Sequence, residues 1–317
     1  MQSIAFRAMG CQMRALLDSD TEAAKMAIHA VPHWFAEWER SLSRFRHDSE
    51  LSALNRRAGE GWTPVSRTLW DVINDAITAA RLSDGLVTPG VLTALEAAGY
   101  DRDFVQVADG APARSQATLP PPGDWRAVRL DPQRRAVALP PGMRLDLGGV
   151  AKGWAATRAV QRLAAHGPAL VDAGGDIAVR GARADGEPWA VGIANPFQPN
   201  ELLDVVLLTD GGVATSGRDL RRWRQGDIER HHIIDPRTGA PATTDVLTAT
   251  VIAPSLLEAE VAAKVVVILG SEAGMAWLTV RPWLAGLIVT ETQNVLRTAT
   301  LEQFRWHAPA VREVVYD

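Results

Sequence analysis

The chain has 317 residues, of which 47% are hydrophobic and 22% are charged, and its formal net charge is -4. This composition is that of an ordinary globular protein with one large domain or two closely packed ones, and it gives no reason to expect nucleic acid or an anionic membrane as a partner. The single cysteine, Cys11, excludes an internal disulfide and a multi-cysteine metal site.

The distribution of apolar residues argues against a membrane protein and an exported one. No apolar stretch reaches the roughly 18 residues that a membrane-spanning helix needs, so no membrane span is expected. The first residues lack a basic segment followed by an apolar run. We therefore expect no signal peptide and a cytoplasmic location.

The first third of the chain predicts a hairpin followed by two helices. Residues 4–8 and 13–17 alternate in hydropathy around a glycine turn, which is typical of paired antiparallel strands. Residues 21–38 have a helical pattern with Pro32 inside it, so a kink or break is expected there. Residues 66–82 show a clear amphipathic pattern with one apolar stripe, which predicts a second helix.

The middle of the chain combines a surface insertion with a candidate anion site. Proline and glycine are dense at residues 111–124, which predicts a flexible surface segment. Residues 145–147 are strand-like, and Gly148 and Gly149 lead into a helix with Lys152 in its first turn. Such a helix N-terminus suits a phosphate group, and a basic side chain is unfavourable there unless an anion is also bound. A plain tight turn is the alternative, because no complete phosphate-loop motif is present.

The second half predicts mostly strands. The expected strands lie within residues 169–179, 189–194, 203–208, 247–252, 287–290 and 295–300. Residues 256–269 predict a helix that ends at a glycine and carries Glu260 and Lys264 on one face. A routine helix-stabilising pair is the simpler interpretation. The neighbouring residues are almost wholly apolar, however, so we expect this charged pair to be half-buried.

The stretch with the highest density of candidate functional residues lies within residues 211–241. Residues 214–217 combine hydroxyl side chains with glycine after a buried strand, so they predict a loop. A short apolar strand then places His232 at one end and a turn with Asp235 at the other. A structural histidine and an ordinary turn are the simpler interpretations of each part alone, but the combination favours a functional site.

The basic residues show an unusual bias towards arginine. Only three of the 33 basic residues are lysines, namely Lys25, Lys152 and Lys264. Where arginine supplies ordinary positive charge, a retained lysine indicates a place that needs a compact amine. Chance is an equal alternative for any one of the three.

Six short motifs, taken in order, resemble one known family. They are AMG at residues 8–10, DSELS at 48–52, DLGGVAKG at 146–153, GGDI at 174–177, ATSG at 214–217 and HIIDPRTG at 232–239. Each motif is weak alone, but their order and spacing span nearly the whole chain. Together they are similar to the ApbE family, the FAD:protein FMN transferases.

This resemblance implies a fold, an activity and a metal ion. The implied fold is α+β, with T-fold-like mixed sheets and flanking helices in a single domain over residues 1–317. The implied activity moves FMN from FAD to a Ser or Thr hydroxyl of an acceptor flavoprotein and releases AMP. In the family, FAD is bound in a cleft together with Mg²⁺.

The resemblance also assigns roles to individual residues. Those implied to contact FAD are Met9, Phe45, Ala94, Leu95, Glu96, Asp146, Lys152 and Ile234. Gly149 falls where the family offers a backbone carbonyl to the metal. In the implied reaction His232 accepts a proton or stabilises charge, Asp235 orients His232, and backbone N–H groups near Gly149 and Ser216 hold the phosphates.

One pair of positions departs from the family pattern. The implied metal site uses an Asp and a Thr four residues later, and here these positions are Glu260 and Lys264. A protonated lysine cannot bind Mg²⁺, so our hypothesis is that Lys264, anchored by Glu260, replaces the charge of the metal. Two functions stay open: an FMN transferase, and an FAD-binding protein or slow FAD pyrophosphatase of this family that has lost transfer.

Overall fold

The structure, a computed structural model, describes residues 1–107 and 121–307. Residues 111–120 of the predicted flexible segment therefore lie outside the described residues. The helices are α1 (Glu22–Leu42), α2 (Glu50–Arg56), α3 (Arg67–Leu82), α4 (Leu92–Ala97), α5 (Phe104–Val107), α6 (Ala151–Leu163), α7 (Leu256–Leu269) and α8 (Ser271–Thr279). None of these described helices combines the length and hydropathy that would carry it across a bilayer.

The strands fall into one large sheet and several small ones. They are β1 (Gln2–Ala8), β2 (Cys11–Leu17), β3 (Thr63–Pro64), β4 (Arg129–Asp131), β5 (Ala136–Ala138), β6 (Ala169–Ala173), β7 (Asp176–Arg180), β8 (Trp189–Asn195), β9 (Gln198–Leu208), β10 (Asp210–Gly217), β11 (Arg222–Gln225), β12 (Ile228–His231), β13 (Ile234–Asp235), β14 (Ala240–Pro241), β15 (Val246–Ala253), β16 (Ala285–Thr290) and β17 (Val295–Arg297).

The large sheet has eight strands in the order β1-β2-β6-β7-β10-β15-β16-β17. Each neighbouring pair in it is antiparallel, so the sheet is not mixed in strand direction. The predicted first hairpin is confirmed, and its tight turn is formed by Met9 and Gly10, whose φ angles are 48° and 71°. Helices combined with antiparallel sheets confirm the α+β class.

The large sheet is covered on both faces. One face packs against α1, α6 and α7 in the main hydrophobic core, with α3 packed on these helices, and the other face packs against the β8–β9 hairpin. The alternation along β15 shows this division, because Val251 and Ala253 belong to the helix side and Ile252 to the hairpin side. Burial on both faces explains why β15 is almost continuously apolar.

Of the kink or break predicted at Pro32, the break is wrong. Helix α1 continues through Pro32 as one element of 21 residues. A proline inside a helix costs about 3 kcal/mol. The side chains of Ile28, Val31 and Phe35 are completely or almost completely buried on one face of α1, and each contributes about 1.5–3 kcal/mol. This burial outweighs the cost of Pro32.

A chain of aromatic contacts fixes α1 and α6 against the first hairpin. The ring centroids of Phe6 and Phe35 are 5.2 Å apart, those of Phe35 and Trp38 are 5.3 Å apart, and those of Trp38 and Trp154 are 5.3 Å apart. All three pairs are edge-to-face, a favourable arrangement for aromatic rings. Because Trp154 lies in the first turn of α6, these contacts hold the N-terminus of that helix in place.

Two local predictions are corrected by tertiary hydrogen bonding. Residues 145–147 are not a strand: the Leu145 N–H donates to the Asn55 side chain at 2.8 Å, and the Asp146 N–H donates to the Pro89 carbonyl at 2.8 Å. Residues 214–217 are not a loop but the end of β10, paired with β15. A small, hydroxyl-rich composition is typical of a loop. Here the pairing with β15 makes the segment a strand.

The close packing of α7 on the sheet predicts a large difference between two strand glycines. A Cβ on Gly212 would lie 2.7 Å from the backbone nitrogen of Leu256, whereas a Cβ on Gly192 would meet only the end of the Leu202 side chain, at 2.9 Å. Leu202 is 59% exposed and can move aside. We expect Gly212→Ala to lower the free energy of unfolding by about 1–3 kcal/mol.

The matched variant Gly192→Ala should cost clearly less in the same denaturant-unfolding experiment, because only a mobile side chain has to move. Equal losses in the two variants would contradict the close approach of α7 to β10.

Candidate functional site

A cavity of about 750 Å³ opens where the β1–β2 turn, the N-terminus of α6, the end of β10 and α7 come together. Its volume is within the range of small-molecule sites. The predicted site residues that line it are Met9, Phe45, Leu95, Asp146, Gly149, Lys152, Ser216, His232, Ile234 and Lys264. The fold therefore gathers into one cavity residues that are up to 255 positions apart in the chain.

Two predicted FAD contacts in α4 do not reach this cavity. Only Leu95 of the predicted α4 residues lines the cavity. Ala94 is fully buried in a core cluster with Tyr100, and Glu96 is held by Arg144, with one Nη1–Oε1 distance of 3.1 Å. Neighbouring residues of a short helix point in different directions. The sequence alone does not show which of the three faces the cavity.

The predicted pairing of Asp235 with His232 is wrong. Both oxygens of Asp235 are engaged by Arg237, whose Nη2 atom is 2.8 Å from Oδ2 and whose backbone N–H donates to Oδ1 at 2.9 Å. Asp235 therefore stabilises its own turn. The buried Nδ1 atom of His232 has no hydrogen-bond partner among the described residues.

The environment of His232 favours the neutral imidazole. Burial lowers the pKa of His232 well below its usual value of 6.5, and the nearby positive charges of Arg221, Lys264 and Lys152 lower it further. At neutral pH the ring is thus an acceptor or donor of hydrogen bonds without a charge. A neutral histidine on a cavity wall is able to take up a proton from a ligand.

Four ionisable side chains meet where α6, β7 and α7 converge. Lys152 forms an ion pair with Asp176, and the Lys264 Nζ atom is 3.8 Å from Oε1 of Glu260. Asp176 and Glu260 are buried, whereas the two lysine side chains are 17% and 19% exposed and line the cavity. Both lysine side chains and Asp176 therefore border the cavity, whereas Glu260 lies behind its wall.

The pKa values follow from this arrangement. Burial raises the pKa of Glu260 to about 8, and the opposing effect of Lys264 does not compensate for it. Burial lowers the pKa of Lys152, but the negative charges of Asp176 and Glu260 outweigh burial, so that its pKa is raised. Lys152 is consequently a permanent cation of the site.

The residues present do not fit a Mg²⁺ ion. Mg²⁺ needs an octahedral set of oxygen ligands at about 2.0–2.1 Å. No group of three His, Cys, Asp or Glu side chains in the described ranges is placed to hold a metal. Glu260 does not line the cavity, and its two carboxylate oxygens pack against Gly153, where a Cβ would overlap them. The end of the Lys264 side chain, at its Cε atom, lies beside Gly149, the other predicted metal position.

The N-terminus of α6 keeps part of the features of an anion site, although the Gly148 N–H already donates to the Asp146 carboxylate at 2.9 Å. Its N-cap residue, Val150, makes no side-chain capping hydrogen bond, and Gly148 and Gly149 line the cavity just before it. At the other predicted phosphate contact, near Ser216, the Thr215 N–H already donates to the Gly175 carbonyl at 3.3 Å. The backbone of β10 is thus part of the sheet and less available to a phosphate.

Arg44 is a site residue that the sequence analysis missed. Its Nε atom is 2.7 Å from Oδ2 of Asp146, and its Nη2 atom donates to the Tyr100 carbonyl at 2.9 Å. The guanidinium carbon lies 4.1 Å from the centroid of the Phe45 ring and 4.6 Å from that of Tyr100. Nothing in the local pattern distinguishes Arg44 from the other arginines, because all of these contacts except that with Phe45 are distant in sequence.

The chain belongs to the ApbE family. The sequence model of that family matches residues 9–288. This match confirms the resemblance found in the six motifs. It also includes every residue that lines the cavity.

Several individual proteins are similar to this chain. The FAD:protein FMN transferase of Treponema pallidum is 32% identical over 91% of this chain and 84% of its own length. One from Klebsiella pneumoniae is 31% identical over 91% of this chain and 89% of its own length. The crystal structure of the ApbE protein from Thermotoga maritima superimposes with a TM-score of 0.85 at 26% identity, covering 96% of this chain and 99% of that one.

The buried carboxyl group predicts an unusual dependence of stability on pH. Because the pKa of Glu260 is about 8 in the folded protein and about 4.5 when unfolded, the folded state keeps a proton that the unfolded state loses. The free energy of unfolding should therefore fall as the pH rises from about 4.5 to about 8. Glu260→Gln, which cannot titrate, should gain stability relative to the wild type across this range.

Denaturant unfolding of both proteins at several pH values measures this difference. If the wild type instead gains stability over the variant between pH 5 and 8, Glu260 is ionised and its ion pair with Lys264 dominates.

Proposed function

We propose that this chain transfers FMN from FAD to a Ser or Thr hydroxyl of an acceptor flavoprotein and releases AMP. Membership of the ApbE family supports the reaction class. The observation that carries the proposal is the position of His232, a neutral imidazole with an unpartnered buried nitrogen, in the same cavity as two ammonium groups. That combination provides a base beside a place for phosphate oxygens.

The reaction requires one phosphoryl transfer. The acceptor hydroxyl oxygen attacks the phosphorus on the FMN side of the pyrophosphate, and the bond from this phosphorus to the bridging oxygen breaks. His232 accepts the hydroxyl proton, and the bridging oxygen leaves as part of AMP. The phosphorus exchanges one oxygen for another, so neither oxidation nor reduction is involved.

The other cavity residues suit the remaining parts of FAD. We place the pyrophosphate at the N-terminus of α6, next to Lys152 and Lys264, because the helix end and both ammonium groups attract negative charge. The exposed ring of Phe45 offers a flat apolar surface to an aromatic ring of the ligand. Asp146, held by Arg44, offers a carboxylate to a ligand N–H or hydroxyl group.

Removal of the proposed base tests this function. His232→Ala should lower the rate of FMN transfer about 100-fold to 10,000-fold, the usual contribution of a general base. Mass spectrometry of the acceptor protein after incubation with FAD would measure the gain of one FMN phosphoester. His166→Ala is the matched control, because His166 is exposed and lies outside the cavity, and it should transfer at the wild-type rate.

The pH dependence gives a second outcome. Because the pKa of His232 lies well below 6.5, transfer by the wild type should persist at pH 6 instead of falling as an ordinary histidine becomes protonated. A variant at His232 with undiminished transfer would contradict the assigned role. Release of FMN and AMP without modification of any acceptor would favour the FAD pyrophosphatase instead.

A further inference from the structure

The cavity carries its own positive charge at the end next to Gly149. A Cβ on Gly149 would lie 3.7 Å from the Cε atom of Lys264, so the two residues are in van der Waals contact range. Lys152 reaches the same part of the cavity from the first turn of α6. Two of the three lysines in the chain therefore converge on this one place.

The two lysines are not equivalent. The ammonium of Lys152 is bound to Asp176 and lies 3.4 Å from the Ala173 carbonyl. The Lys264 ammonium donates a long hydrogen bond, of 3.4 Å, to the Glu260 backbone carbonyl. An ammonium has three donors, so Lys264 has donors to spare for a group in the cavity.

The carboxylate of Glu260 is too distant to satisfy Lys264 by a hydrogen bond. The shortest separation, from Nζ to Oε1, is 3.8 Å, and both carboxylate oxygens lack a hydrogen-bond partner among the described residues. Gly153 leaves just enough space for this carboxylate behind the cavity wall. Glu260 thus lies behind the cavity wall and leaves the donors of Lys264 unoccupied.

We propose that the ammonium of Lys264 is the resident cation of this site and binds the pyrophosphate oxygens of FAD in place of a divalent metal ion. The inference rests on the proposed function only for the identity of the ligand as FAD. A lysine is a common phosphate-binding group that acts as a point charge, and here it stands beside a second lysine and a helix N-terminus. Together these groups neutralise a pyrophosphate without any metal ligand.

Equilibrium binding of FAD to the purified full-length protein tests the proposal without requiring transfer. Quenching of flavin fluorescence would be titrated once with excess EDTA and once with MgCl₂. We expect the two dissociation constants to agree within about twofold, because no divalent ion takes part in binding. FAD that binds only when Mg²⁺ is present, or that fails to bind in both conditions, would overturn the proposal.

Variants separate the charge of Lys264 from its packing. Lys264→Met keeps the length of the side chain, and it should weaken FAD binding in EDTA about 10-fold to 100-fold, the usual value of a charge-assisted hydrogen bond. Lys264→Arg should recover part of the affinity. Lys25→Met removes the third lysine, which lies on α1 in an exposed pair with Glu22, and it should bind as the wild type does. Unchanged binding by Lys264→Met would refute the assignment.

A double variant provides a gain of function. Glu260→Asp combined with Lys264→Thr removes the ammonium and supplies two short oxygen-bearing side chains four residues apart on α7. We expect this protein to bind FAD weakly in EDTA and to recover affinity on addition of Mg²⁺. Electron paramagnetic resonance with Mn²⁺ would detect the ion directly, bound in the double variant with FAD and absent from the wild type with FAD. Mn²⁺ bound by the wild-type complex would contradict the proposal.

These measurements distinguish two kinds of failure. An FAD dissociation constant that is unchanged by the chelator, together with no transfer to any acceptor, would reject the proposed function and leave the role of Lys264 intact. FAD binding that requires Mg²⁺, together with transfer to an acceptor, would support the proposed function and reject the role of Lys264.

Discussion

The structure depends on one electrostatic constraint, the burial of opposite charges where α6, β7 and α7 meet. An isolated buried charge is very costly, so Lys152 and Asp176 must remain together, and Glu260 must stay close to Lys264 or keep its proton. The contacts that hold these elements are strong. Trp154 fixes the start of α6, and Gly212 lets the start of α7 approach the sheet.

This constraint also explains the character of the cavity. Glu260 lies behind the wall while Lys152 and Lys264 line the cavity, so two ammonium groups meet at the end next to Gly149 although the chain carries a net charge of -4. The same positive charges, together with burial, keep His232 neutral. The proposed anion site and the proposed base thus depend on the same positive charges.

Much of the fold and most of the cavity were predictable from the sequence. Hydropathy patterns located the first hairpin and α7, and motif order identified the family, because these features are local or ordered along the chain. The incorrect predictions concern features that depend on tertiary contacts. The strand at residues 214–217, the intact α1 and the partner of Asp235 depend on neighbours that no local pattern reveals. The same is true of Arg44.

The most direct measurement of the central claim is a crystal structure of the FAD complex, grown with Mn²⁺ and recorded with anomalous scattering. We expect the Lys264 ammonium within hydrogen-bond distance of the pyrophosphate oxygens, with no anomalous peak in the cavity. An anomalous peak coordinated by the Gly149 carbonyl and the Glu260 carboxylate, with Lys264 displaced, would contradict it.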